Sequence, residues 1–173
     1  IVVAKGLEYG FYQGDFTIRA DQTTELRVPL ARVFDMPAKG WYSGDVHVHH
    51  TRLSPEFDRM ILRHAKAEDL HVANIMQMGN IGVTHYPPRG WGKKGRYEAG
   101  DYPALSGRED PRPSRRGHTL HLNITAPVRN PDRYLLYDEV FEAVQRQGGL
   151  SGYAHMAGVG VTSGWAGLAL EAP

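Results

Sequence analysis

The residues with the clearest chemical potential lie in Gly44-Asp45-Val46-His47-Val48-His49-His50. The alternation is that of a strand, with Val46 and Val48 on one face and His47 and His49 on the other. A rigid element that holds two imidazoles side by side presents two nitrogen ligands to one metal ion. Further candidates follow downstream, in chain order: Glu109, His118 and His155. Each falls at a terminus of a short β-like run, Glu109 closing one, His118 opening the next and His155 closing the last. A carboxylate can bridge two divalent ions while imidazoles fill their remaining positions, an arrangement suited to hydrolysis. Cysteine is absent, so disulfides and thiolate metal sites are excluded, and any metal must be held by histidine and carboxylate.

Composition narrows the remaining classes. The 173 residues suit one ordinary domain, or one domain plus part of another. Charges nearly cancel, leaving +1, so nothing favours nucleic acid as a partner. No apolar run reaches the length of a membrane span and no signal peptide is visible, which leaves the compartment undetermined. The expected partner is a small-molecule substrate.

The elements that must position these residues read as follows. Residues 1–40 are β-rich: Ile1–Ala4, Phe16–Arg19 and Thr24–Leu30 read as strands punctuated by Gly6, Gly10, Gly14 and Asp21. They are expected to be the tail of an N-terminal β-sandwich module, joined by a linker at 35–40 to a second unit at 41–173. After His50, Ser54 suits an N-cap, Pro55 the first helical position and Glu56 the first turn. Phe57, Met60, Ile61 and Ala65 are the expected inner face. A buried strand at 71–78 completes a strand–helix–strand unit of a parallel sheet. Residues 81–104 are expected to be a long irregular insertion, whose Trp91, Lys93, Lys94, Arg96 and Tyr97 either cover a pocket or lie on a surface loop. Strands at 105–109 and 117–124 follow, then a helix at 138–147 with Val140, Val144 and either Tyr137 or Phe141 inside, stopped by Gly148-Gly149. A last strand at 150–155 makes a second strand–helix–strand unit. In such folds ligands gather at the carboxyl ends of parallel strands.

Read together, Gly-Asp-Val-His-Val-His, Ser-Gly-Arg-Glu-Asp, Gly-His-Thr-Leu-His-Leu-Asn and Gly-Gly-Leu-Ser-Gly-Tyr-Ala-His resemble the polymerase-and-histidinol-phosphatase (PHP) superfamily of metal-dependent hydrolases. The Gly-Trp-Tyr-Ser-Gly-Asp approach and the β-rich upstream segment make the likeness greatest to its carbaryl-hydrolase branch. The resemblance covers about residues 20–173. It implies an α/β fold, a partial distorted (β/α)7 barrel with metals at the strand C-termini. It implies two divalent ions (zinc, manganese or iron): His47 and His49 on one, His118 and His155 on the other, and Glu109 between them. Asp45 would orient the ligands, and the activity implied is hydrolysis of a carbamate, ester or amide bond. The place where three-metal members carry Thr-Asp-His reads Met78-Gly79-Asn80, which implies two ions rather than three. The family's late aspartate and histidine do not occur by residue 173, so the expectation is a fragment with an incomplete ligand set and an open sheet edge, not competent alone. Two other readings stand beside this one. A phosphoesterase would need converging cations, for which Arg52, Arg108, Arg115 and Arg116 are available. A non-enzymatic recognition module with a decayed barrel should have lost ligands. Of the other histidines, His50 reads as a sheet or pocket wall, His64 as helix surface or core, His71 and His121 as structural, and His85 as a candidate pocket residue. His118 and His121 have opposite parity, so only one faces a given site.

Overall fold

The structure, a computed structural model, describes residues 1–113 and 117–154. In chain order it comprises β1 (Val2–Val3), β2 (Tyr12–Gln13), β3 (Gly44–Val48), α1 (Pro55–Ala67), β4 (Val72–Gly79), β5 (Thr84–His85), β6 (Tyr97–Ala99), β7 (Tyr102–Glu109), β8 (His118–Leu122), α2 (Tyr137–Gln145) and β9 (Leu150–Ala154). The architecture is mixed α/β. One curled, half-barrel sheet runs in the order β3-β4-β7-β8-β9, with β5 added to β4 and β6 to β7.

The strands β3, β4 and β7 are parallel neighbours, as the first strand–helix–strand unit requires. The second unit departs from expectation. β8 is antiparallel to β7, and β9 is antiparallel to β8. The link from β7 to β8 is too short for a parallel crossover, so the chain can only turn back beside the strand it has left. Reversing β8 brings its first residue to the end of the sheet where β7 stops.

Helix α1 starts as its sequence suggests, with Ser54 extended, Pro55 in the first turn, and Glu56 and Asp58 near the positive helix end. Its buried stripe is Asp58, Ile61, Leu62 and Ala65, spaced i, i+3, i+4, i+7. Met60 faces outward instead. Ile61 and Ala65 are inside as expected, while Asp58 escaped a reading by hydrophobicity because it is an aspartate. Asp58 is buried because Arg52 is buried against it (Nε–Oδ1 2.7 Å) and also donates to the Gly95 carbonyl (2.9 Å) and Ser106 Oγ (3.0 Å). Ile61 and Leu62 meet Ala73, Ile75 and Ala104 in the core, with Val48, Leu70, Tyr97 and Tyr102 packed around them. In α2 the inner face is Tyr137, Val140 and Val144, and Gly148 takes a φ of 73° just beyond the helix.

Two expectations fail. Phe16–Arg19 and Thr24–Leu30 form no strands. Ile18 is 76% exposed and Leu26 41%, and among the described residues no strand lies beside either run to accept its backbone hydrogen bonds. The β structure described before residue 40 is the small β1–β2 ribbon and a bridge between Tyr9 and Arg32. The 81–104 stretch is also more ordered than expected. It holds β5, a 3-10 turn at Gly92–Gly95, β6 and the start of β7. Tyr97 packs on the core, while Lys93, Lys94 and Arg96 are exposed.

Candidate metal centre

The site begins with an irregularity in β3. Asp45 pairs with Ala73, but Val48 pairs with Ile75, so β3 carries one extra residue as a bulge. The Asp45 carboxylate accepts the His47 backbone N–H (2.9 Å), and the Asp45 carbonyl accepts from Asn74 Nδ2 (3.1 Å), which holds the bulge in place. The bulge interrupts the apolar face, leaving Val46 exposed while Val48 packs on the core. His47 and His49 are aimed together: their Nε2 atoms are 3.0 Å apart and their rings meet edge to face at 4.8 Å.

Glu109 arrives from the last position of β7, two strands away. Its Oε2 lies 3.0 Å from His49 Nε2 and 3.4 Å from His47 Nε2. The three residues offer donor atoms all within 4.8 Å of one another. The other carboxylate oxygen, Oε1, lies 2.6 Å from His118 Nδ1, at the start of the reversed β8. Glu109 therefore faces the His47–His49 pair with one oxygen and His118 with the other.

Charge favours the ligating forms. Burial alone would push the Glu109 carboxyl pKa up. The hydrogen bonds from His118 and His47, with the positive charge of Arg112 nearby, outweigh it and hold the group well below the usual carboxylate range. His49 is lowered, first by burial, against the opposing pull of Glu109, so its imidazole is neutral and its lone pair available near neutral pH. Imidazole nitrogens and an ionised carboxylate oxygen are ligands that accept zinc, manganese or iron. The 3.0–3.4 Å separations among the three atoms are the edges expected of ligands each about 2.0–2.1 Å from one ion. The group fits a divalent metal.

The structure thus brings His47, His49, Glu109 and His118 together; His155 lies outside the described residues. His118 enters from the amino end of an antiparallel strand, not from the carboxyl end of a parallel one. The exposed Asp45 acts on the His47 backbone and not on either imidazole ring. His121 is fully buried on the opposite side of β8, with Nε2 3.2 Å from Thr119 Oγ1. His71 is buried, bonded to Ser43 Oγ (3.0 Å) and stacked on Tyr102. His50 packs on Phe57, and His64 and His85 are exposed. Arg52 and Arg108 do not converge on the site: Arg52 is spent on Asp58, and Arg108 on Gln77 and Asp110. Arg115 and Arg116 lie outside the described residues.

Two neighbours escaped the sequence reading. Arg112 donates from Nε to Glu109 Oε2 (3.0 Å). Its only local signal is its position three residues after the glutamate. Tyr86 stacks on His49, with ring centroids 5.5 Å apart at 29°. It follows β5 directly and has a φ of 53°, an uncommon value for a bulky side chain. Nothing in its local sequence marks it. Its placement comes from the hairpin by which β5 folds back on β4. No family model matches this chain, and no curated protein or solved structure does so at a significant level.

Proposed function

We propose that this chain carries the metal-binding core of a divalent-metal-dependent hydrolase of the PHP kind, in the carbaryl-hydrolase branch, built on part of a distorted (β/α)7 barrel. Its substrate would be a small molecule with a carbamate, ester or amide bond. The observation that supports this reading is the convergence of His47, His49 and the buried Glu109 on one point, with His118 on the far oxygen of the same carboxylate. His47, His49 and Glu109 would hold one ion; His118 and Glu109, with His155, would hold a second. When bound, such an ion acts as a Lewis acid and makes water a nucleophile at neutral pH. The chain supplies the rest. Glu109 stays ionised in a buried position, His49 stays neutral, Asp45 pins the backbone that aims His47, and Tyr86 walls one side of the pair.

The test is metal content followed by turnover. Protein stripped with chelator and reloaded with zinc, manganese or iron should retain one to two equivalents through gel filtration. A His47→Ala/His49→Ala variant should retain less. Of aryl carbamates, aryl esters and aryl phosphates, the first two should be hydrolysed by loaded wild type and not by the variant. Hydrolysis equal in both, or a wild type that holds no metal, rejects the reading.

A further inference from the structure

A cation lies beside the metal-ligating group. Arg112 is about one-third exposed at its side chain (33%), and its Nε is bonded to Glu109 Oε2 at 3.0 Å. That oxygen is also the one facing His47 and His49. The guanidinium is therefore held at the rim of the proposed ion site by one of its N–H groups. Among the described residues, no partner is shown for Nη1 or Nη2. By contrast, the terminal nitrogens of Arg108 are engaged by Gln77 and Asp110, and those of Arg129 by Asp110, the Asn80 carbonyl and the Ile81 carbonyl. Arg112 is also fixed at its backbone, where its N–H donates to Tyr134 Oη at 2.9 Å, and Tyr134 Oη in turn donates to Asp110 Oδ1 at 2.5 Å. An arginine positioned at backbone and Nε, with its two terminal nitrogens not engaged among the described residues, is preorganised for bidentate binding of an oxyanion.

We infer that Arg112 is a specificity-determining residue, and that the substrate carries an anionic oxygen, as a carboxylate or a phosphate, next to the bond that is cut. This rests on the proposed metal-dependent hydrolase. The two flanking features divide the labour. Tyr86 presents an aromatic face beside His49, and Arg112 a hydrogen-bonding fork beside Glu109.

The experiment uses zinc-loaded wild type, Arg112→Met and Arg112→Lys, with inorganic phosphate and acetate as separate probes in calorimetry. Metal content and melting temperature are measured on every sample. Wild type should bind at least one of the two anions, and which one identifies the anionic group. Arg112→Met should bind it about tenfold or more weakly at unchanged metal content, and Arg112→Lys, which keeps the charge but not the fork, should fall between them. Equal affinity in Arg112→Met and wild type overturns the inference. So does a metal-loaded wild type that binds neither anion, which leaves the hydrolase reading standing. A wild type that holds no zinc brings down both. If Arg112→Met fails to fold, the Lys variant decides, since it retains the charge beside Glu109: undiminished anion affinity in it removes the fork from recognition.

Discussion

Glu109 is the residue on which the site turns, because it is fully buried, ionised and shared among His47, His49, His118 and Arg112. Glu109→Gln keeps the shape and removes the charge that balances a cation. Metal affinity should fall by roughly tenfold or more. The metal-free protein should melt within a few degrees of wild type, as judged by metal titration beside a thermal scan. A second residue-scale prediction concerns His121. Burial, with the nearby Arg108 charge, lowers its pKa to about 4 from the ordinary 6.5. Below pH 6.5 the unfolded chain takes up a proton that the folded chain refuses. The stability present above pH 6.5 is therefore lost as pH falls toward 4, by roughly 3 kcal/mol in all. Urea unfolding of metal-free protein at pH 7 and pH 4.5 should show this loss in wild type. In His121→Asn the acid limb should be shallower over the same window.

At the scale of elements, the centre depends on a strand end, a bulge and a hairpin. The β4–β5 hairpin carries Tyr86, and Arg129 ties it down, donating to the carbonyls of Asn80 (2.6 Å) and Ile81 (2.7 Å) and to Asp110 Oδ2 (2.7 Å). Arg129 thus clamps the start of the hairpin to the end of β7. Gly79 contributes by lacking a side chain, since a Cβ there would lie 3.0 Å from the Asp110 carboxylate. Arg129→Met should free the hairpin without disturbing α1. Hydrogen exchange at residues 82–86 should quicken by about an order of magnitude while that of 60–66 stays as it was. Unchanged exchange in the hairpin would mean that β5 is held by its pairing with β4 alone.

For the whole molecule, two long-range attachments matter. The N-terminal segment docks on the end of α1 through Arg32, which reaches Glu8 (2.6 Å) and Asp69, and through Gly6. Gly6 has a φ of 51°, and a Cβ there would come within 2.3 Å of the Glu68 carbonyl oxygen, so only glycine fits. Gly6→Ala combined with Arg32→Ala should expose residues 1–34 to limited proteolysis while leaving metal content unchanged, because none of the ligands lies in that segment. The second attachment would be a divalent ion. The residues that could hold it, His47, His49 and Glu109, come from β3, the residue just after it and β7, so binding would favour the assembled sheet over the unfolded chain. Zinc at about a hundred times its dissociation constant should add about 2.7 kcal/mol of stability, seen as a higher melting temperature that chelator reverses.

What the sequence determined by itself was local. Ser54 and Pro55 start α1, Gly148 follows the end of α2, His47 and His49 share a side, and Glu109 closes a strand. Each of these depends on spacings within a few residues, where backbone periodicity and side-chain preference act directly. Tertiary structure decided the rest, through partners remote in the chain. The turn-back after Glu109 reversed β8 and brought His118 to the carboxylate. Arg52 made Asp58 a buried residue, and the β5 hairpin laid Tyr86 over His49. Phe16–Arg19 and Thr24–Leu30 have strand-like composition, yet a strand exists only where a neighbour accepts its hydrogen bonds and covers its apolar face, and that pairing is a property of the folded molecule.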